Sequence, residues 1–354
     1  MSSNILIYGS NGYTGELIVE RAADEGAKPI LAGRSHGKIE TQAALRELDF
    51  RIFALDDPDA VDTGLKDMTL VINCAGPFSR TAVPMAEACI RTGTHYLDIT
   101  GEIEVFEALA SMGDAAKKAD VMLMPGTGFD IVPTDCLAAH LKRRMPAATE
   151  LILAFKAIGR PSRGTATTMM ENIHKGGMIR KDGNLTSVPS AWKIRDFDFG
   201  DGPVTAMTIP WGDVSTAFYS TGIPNIQVYM AAPPGLRRMA TFSRYFGWLL
   251  ATSPVQALLR KQIQSGPAGP SDDERNSGES RLYGEAKDDS GAVVRTRLRT
   301  PEGYSLTAAT SWAIAKKAAD GDAAPGFQTP SMVYGADFIL DFDGVDRIDL
   351  DGSP

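Results

Sequence analysis

Short apolar runs that end in glycine, each followed by a stretch with helical spacing, organise the first third of the chain. Ile5 to Tyr8 is apolar throughout and reads as a buried strand. Glu16 to Ala23 then offers Leu17, Ile18 and Ala22 to one helical face, and Gly26 can stop that helix. The rhythm repeats. Residues 28–35 (KPILAGRS), 49–57 (DFRIFALDD) and 68–78 (MTLVINCAGPF) read as further strands. Residues 81–93 read as a helix ended by Gly93, 94–102 as a strand and loop, 105–120 as a helix, and 121–130 as a sixth strand and turn. Alternation of this kind predicts an α/β domain, a Rossmann-type doubly wound parallel sheet.

The pattern changes after residue 130. A helix is expected over 130–146, with Pro133 tolerable in its first turn and Pro146 closing it. Residues 150–159 and 225–233 read as strands of a second sheet, and 281–300 as a hairpin turning at DDSG. In that hairpin Val294, Thr296 and Leu298 alternate with Arg295, Arg297 and Arg299. A second α+β domain with a mainly antiparallel sheet follows from these. Residues 265–280 have loop composition, and 306–321 read as a small-residue helix stopped at Gly321 and packed on the first sheet. The expected division is 1–135 for the nucleotide-binding domain, 136–304 for a substrate and oligomerisation domain, and 305–354 for a C-terminal return packing on the first.

Composition narrows the classes. The chain has 354 residues, 43% hydrophobic and 23% charged, with a net charge of −8. That suits two globular domains and gives no basic field for nucleic acid. Three scattered cysteines, Cys74, Cys89 and Cys136, make neither a disulfide framework nor zinc spacing, so no metal is expected and a reducing cytoplasm is the simplest location. The start carries no basic-then-apolar leader, and no apolar stretch reaches the roughly twenty residues that span a bilayer.

The glycines of the first strand-to-helix turn carry the chemistry. Gly9-x-x-Gly12-x-x-Gly15 is a variant of the GxGxxG dinucleotide fingerprint. Backbone without Cβ approaches a ligand closely, and the helix start favours phosphate. Gly9, Ser10, Asn11, Gly12, Tyr13, Thr14 and Gly15 are therefore the expected pyrophosphate site. The second strand ends in Gly33, Arg34 and Ser35, where NAD enzymes usually place an acid. An arginine there suits a 2′-phosphate, so the cofactor is expected to be NADP(H), with Arg34 and Ser35 at the ribose. The plain alternative for Arg34 is a solvated charge. Asp56 falls near the adenine. Asn73, Ala75, Gly76, Pro77 and Phe78, at the carboxyl end of the fourth strand, border the dinucleotide.

The segments GSNGYTGELI, LAGRS, VINCAGPF, YLDITGE and PGTGFDIVPTD together resemble the saccharopine dehydrogenase-like NADP-binding oxidoreductases. The chain is more similar to the bacterial branch that includes trans-acting enoyl reductases of lipid metabolism, also through PGFQTPSMVYGADFIL. The resemblance implies a Rossmann domain with an inserted second domain, and places Gly9 to Gly15, Arg34 and Asn73 to Phe78 at the cofactor. It implies reduction of an apolar or acyl-type substrate by NADPH, enoyl reductase-like. No basic set corresponds to the amino-acid site of the lysine-pathway enzymes. A carbonyl or imine reductase is the alternative enzyme, and a non-catalytic NADP-binding scaffold or lipid-associated protein the alternative of another class.

Tyr96, Asp98 and Asp130 follow the fifth and sixth strands and are the candidate proton donors, against the plain alternatives of packed aromatic and turn former. No Tyr-x-x-x-Lys pair of the short-chain dehydrogenase kind is expected in the chain, the surroundings of Tyr13 and Tyr96 lacking one. His36, His95, His140 and His174 have no ligand spacing; His140 reads as structural, and His174 as a residue of the cleft between domains. The arginine stripe reads as a dock for an anion or as a solvated face paired with acids. Along 236–263, Leu236, Met239, Phe242, Phe246 and Leu249 form an apolar stripe suited to core packing, an acyl lid, a contact in a homodimer, or peripheral membrane contact.

Overall fold

The computed structural model describes residues 4–157, 161–172, 176–241 and 252–350. The chain divides into two compact units, 1–132 with 304–335, and 133–303 with 336–354.

The first unit is built on seven parallel strands, β1 (Ile5–Tyr8), β2 (Ile30–Gly33), β3 (Phe50–Ile52), β4 (Leu70–Asn73), β5 (His95–Asp98), β6 (Met122–Met124) and, from the return of the chain, β15 (Gly326–Phe327). Their spatial order is β15-β6-β5-β4-β1-β2-β3. The order reverses direction between β1 and β4, which are paired with Tyr8 opposite Asn73. Crevices beyond such switch points hold ligands in open parallel sheets. β1 and β4 are buried along their whole length, as their unbroken apolar runs require.

Helices cover this sheet with one apolar stripe each. Tyr13–Asp24 buries Gly15, Ile18, Val19 and Ala22. Phe78–Thr92 starts three residues earlier than its apolar pattern suggests and ends where Gly93 takes a left-handed φ of 74°. The expected single helix over 105–120 is two, Ile103–Ser111 and Gly113–Lys118. The third strand is only three residues long, and past it Asp57 caps Pro58–Leu65, accepting from Ala60 N at 3.2 Å.

Helix Gly303–Ala319 packs on this unit through its small residues. The Thr310 hydroxyl donates to Thr127 O at 2.7 Å, Thr127 and Ser311 share a hydroxyl bond of 3.0 Å, and Phe129 N donates to Thr307 Oγ1 at 2.9 Å. A Cβ on Gly128 would stand 2.6 Å from Thr307 Cγ2, so the close approach needs a glycine there.

The second unit holds a nine-stranded mixed sheet, mostly antiparallel. Its strands are β7 (Glu150–Ala157), β8 (Gly177–Lys181), β9 (Asn184–Val188), β10 (Ile194–Asp198), β11 (Pro203–Thr208), β12 (Asn225–Ala231), β13 (Glu279–Lys287), β14 (Val293–Pro301) and β16 (Asp346–Asp349). The path runs β10-β11-β12-β7-β13-β14-β16, with β8 on β12 and β9 on β8. β7 and β12 pair in parallel; every other pair is antiparallel. Helix Val132–Arg144 lies on β13, where a Cβ on Gly284 would reach within 2.6 Å of Leu141.

Two expectations change here. The return expected over 305–354 divides, since residues from Ala336 onward join the second unit. β16 pairs with β14, and Asp349 receives Thr296 Oγ1 at 2.7 Å and His140 Nε2 at 2.9 Å. His140 is thus held in a structural bond, as read from the sequence. The polar tract 265–280 contains a helix, Asp272–Ser277, started by a capping box between Ser271 and Glu274. In the arginine stripe, Arg295 pairs with Glu285 at 3.0 Å and Arg297 with Asp198 at 2.6 Å, while Arg299 is exposed. The face is charge-paired, the plainer of its two readings.

Candidate functional site

The turn after β1 is packed closely against backbone at its glycines. Gly9 N donates to Ala32 O at 2.7 Å, and Gly12 N to Gly9 O at 3.0 Å. Gly9 has a φ of +77°, and a Cβ on it would stand 2.9 Å from Ala75 N. A Cβ on Gly15 would stand 2.5 Å from Gly9 O. Side chains are thus excluded from the place where helix Tyr13–Asp24 begins. No side chain caps that helix. The amides of a helix's first turn have no partner within the helix, so this start is open to an anion.

The seven residues of the turn differ in what they offer. Ser10 is fully buried; its hydroxyl donates to Gln42 Oε1 at 2.8 Å while Gln42 Nε2 donates to Ser10 O at 2.9 Å. Its side chain is spent on fixing the turn to helix His36–Arg46. Asn11 and Gly12 are exposed, Gly9, Tyr13 and Thr14 half-buried, and Gly15 buried. With Ser10 so used, the main-chain amides of the helix start offer donors to a pyrophosphate, and a dinucleotide fits them.

Arg34 is exposed directly after β2, and Ser35 holds the N-cap position of His36–Arg46 without a side-chain bond to it. Burial pushes the Tyr8 phenol up to about 12, with Arg34 opposing and Asp56 adding to the shift. Both charges therefore stand within electrostatic reach of the end of β1. Tyr8 Oη donates to Phe53 O at 3.1 Å. A guanidinium and no capping acid at the end of β2 fits a 2′-phosphate.

The loop after β4 is held from three directions. Asn73 is buried; its Oδ1 accepts from Ala75 N at 3.1 Å and its Nδ2 donates to Tyr96 Oη at 3.3 Å. Thr81 Oγ1 donates to Ala75 O at 2.6 Å. The Gly76–Pro77 bond is cis. Beyond it, the Phe78 and Ser79 amides donate to the two oxygens of Glu102, each at 3.0 Å. A carboxylate of the chain itself therefore occupies the start of helix Phe78–Thr92. Burial holds the Glu102 carboxyl above its ordinary range, those two amides opposing the shift.

Tyr96 and Asp98 are fully buried. Tyr96 Oη donates to Asp98 Oδ2 at 2.7 Å, and Asp98 Oδ1 accepts from Thr100 N and Gly126 N, each at 2.9 Å. Burial pushes the Asp98 carboxyl up to about 6 against these bonds. The pair joins the loops after β4, β5 and β6. Asp130 differs. It is half-buried, and burial pushes its carboxyl up to about 7. Its Oδ2 lies so near the loop after β5 that a Cβ on Gly101 would come within 2.7 Å of it.

Glu102, Thr81 and Gln42 were not singled out from the sequence. YLDITGE placed Glu102 in the loop after the fifth strand, but nothing local tells that it reaches a helix start twenty-four residues back. Tyr283 and Lys287 have the Tyr-x-x-x-Lys spacing, but on β13 they stand about 13 Å apart along the strand, outside the geometry that pairs them on a helix. His174, Phe242, Phe246 and Leu249 lie outside the described residues. Leu236 packs beside Ala191, Met207 and Ala232 of the second unit, and Met239 is 49% exposed.

Residues 5–124 match the family of saccharopine dehydrogenase NADP-binding domains. The resemblance read from the glycine turn and the strand ends is thereby borne out, and with it NADP as the nucleotide. The chain is 25% identical over 218 residues to a saccharopine dehydrogenase-like oxidoreductase of Bos taurus, covering 56% of this chain and 46% of that one. It is 32% identical over 152 residues to a trans-acting enoyl reductase of Mycobacterium leprae, covering 40% and 36%. It thus spans about half or less of the length of these curated relatives. A saccharopine dehydrogenase (L-Glu forming) of Saccharomyces cerevisiae shares the fold over 99% of this chain and 100% of that one, with a TM-score of 0.66 at 13% identity. The Rossmann-type sheet and the mainly antiparallel second sheet agree with that fold. No helix among the described residues is long and apolar enough to cross a membrane.

Proposed function

We propose that the chain is an NADPH-dependent oxidoreductase that reduces an apolar, acyl-type substrate at a carbon–carbon double bond. The observation that carries the redox reading is the turn at Gly9, Gly12 and Gly15, closed to side chains and opening on an uncapped helix, with Arg34 at the end of the adjacent strand. The acyl substrate is supported by the likeness to trans-acting enoyl reductases. Reduction of a carbonyl or imine is the second reading, favoured by the longer match to saccharopine dehydrogenase-like oxidoreductases.

The nicotinamide, when bound, supplies the hydride, and the chain supplies position and a proton. The main-chain amides of the glycine turn hold the pyrophosphate and Arg34 the 2′-phosphate. Asn73 and Glu102 hold the loop after β4 against the dinucleotide. Tyr96 and Asp98, spent on each other and on backbone, are positioning residues. Asp130 is the proton donor: its raised titration keeps a protonated carboxyl near neutral pH.

Calorimetry with NADPH and NADH on the folded protein, followed by nicotinamide absorbance against enoyl, keto and imino substrates, tests the proposal. NADPH preference and turnover of an enoyl substrate are expected. Turnover of only keto or imino compounds favours the second reading. Binding without oxidation of any substrate makes the chain a scaffold, and binding of neither nucleotide ends the redox reading.

A further inference from the structure

The nucleotide turn has a neighbour from far along the chain. Tyr304 is the first residue of the first unit after the chain returns from the second. Its ring meets Tyr13 edge-on, with centroids 5.2 Å apart and planes at 84°. Farther along the same helix, Trp312 Nε1 donates to Glu25 Oε2 at 3.2 Å, and Lys316 pairs with the same carboxylate. Tyr13 begins helix Tyr13–Asp24 and Glu25 ends it. The two helices therefore run side by side in the same direction, start against start. Thr307, Thr310 and Ser311 fasten the return helix to the loop after β6. None of this return lies in the residues 5–124 that match the domain family.

We infer that Tyr304 is a cofactor-positioning residue, holding the Tyr13 ring and with it the first turn of the helix whose amides receive the pyrophosphate. The inference rests on the NADPH-binding reading above. An edge-on aromatic pair prefers this separation and angle. A fixed ring fixes the side-chain torsion of Tyr13, and Tyr13 is the first residue of the phosphate-facing turn. A pre-ordered turn loses less freedom when the ligand arrives, so affinity rises without any new contact to the ligand. The nucleotide site is then completed by a residue from beyond the domain that the family describes.

The consequence separates Tyr304 from Arg34. NADH and NADPH share the pyrophosphate, so loss of Tyr304 weakens both by the same factor. Loss of Arg34 weakens NADPH alone. The experiment measures calorimetric Kd for both nucleotides on the full chain, with Tm alongside, for wild type, Tyr304→Phe, Tyr304→Leu and Tyr304→Ala. Tyr304→Phe keeps the edge-on ring and is expected to retain wild-type affinity. Tyr304→Leu and Tyr304→Ala are expected to weaken NADPH and NADH equally, by about three- to tenfold for one aromatic pair. If Tyr304→Ala does not fold, Tyr304→Leu, which still fills space, carries the test. Unchanged affinity in a folded Tyr304→Leu protein, or a loss confined to NADPH, overturns the inference. Wild-type protein that binds neither nucleotide refutes the functional reading itself before any variant is compared.

Discussion

Replacing Gly15 by alanine sets two physical effects against each other. Gly15 lies within helix Tyr13–Asp24, where alanine is intrinsically preferred over glycine by about 0.8–1.0 kcal/mol. On propensity alone the variant is more stable. The new Cβ, however, would stand 2.5 Å from Gly9 O, 3.0 Å from Ser10 Cα and 3.1 Å from Ser10 C. All three are backbone atoms, so no rotamer relieves the contact, and the turn must retreat by most of an ångström. Overpacking of this kind costs about 1–3 kcal/mol, which outweighs propensity and leaves a net loss of up to about 2 kcal/mol. Affinity suffers more, because the backbone that must retreat is the backbone that meets the pyrophosphate; a loss of at least about tenfold is expected from displaced charge-assisted bonds. Urea denaturation gives the stability and calorimetry the NADPH Kd. Gly26→Ala is the control: its φ is +71° with open space around it, so it costs about 1 kcal/mol through the left-handed backbone and leaves Kd unchanged. A Gly15→Ala protein that is stabilised and binds NADPH like wild type refutes the close-packed turn.

Arg34→Ala is expected to lower NADPH affinity by about 10- to 100-fold, the range of one charge-assisted phosphate contact, with NADH unchanged; equal loss of both in titration calorimetry contradicts the assignment. Asp98→Ala leaves the Tyr96 hydroxyl and the Thr100 and Gly126 amides without their acceptor, and about 3–5 kcal/mol of destabilisation is expected by denaturant titration, far more than a surface carboxylate costs. Asp130 carries a pH signature. Its carboxyl is raised to about 7, so the native state holds a proton that the unfolded chain releases near pH 4, and native stability falls as pH rises between those values. Asp130→Asn, neutral throughout, is therefore expected to raise Tm more at pH 8 than at pH 5. With a reducible substrate the wild-type rate falls as pH rises through about 7, and a profile of the same shape in Asp130→Asn removes Asp130 as donor.

The first unit was legible because its central strands β1 and β4 are buried along their whole length and written as short, largely apolar runs, although the edge strand β3 leaves Phe50 and Ile52 exposed. Gly9 and Gly93 mark ends that only a left-handed backbone can make. The second unit was less so. Its outer strands have one face toward charge, and their pairing joins residues far apart in the chain, such as Ile152 with Gln227 and Arg297 with Ile348. Two signals there were readable and passed over. Asp182-Gly183 is the turn of the β8–β9 hairpin, with φ of 49° and 79°. Ser271-x-x-Glu274 is a capping box inside a stretch whose composition alone suggested a loop.

Tyr96 and Asp98 show where local reasoning about a site ends. They stand two apart on β5, hence on one face, and their bond of 2.7 Å could have been anticipated from that spacing. What the spacing does not contain is the identity of the third and fourth partners. Thr100 N is local, but Gly126 N comes from the loop after β6, and Asn73 from β4. Once those groups are counted, the Asp98 carboxylate has three donors and the Tyr96 hydroxyl has both an acceptor and a donor, so the polar capacity that made them candidates for chemistry is used in aligning three strand ends. Asp130 is half-buried and lies against Gly101. On the function proposed above, the carboxylate that fixes the loops and the one that moves a proton are different groups, a division that chain position alone gives no means of drawing.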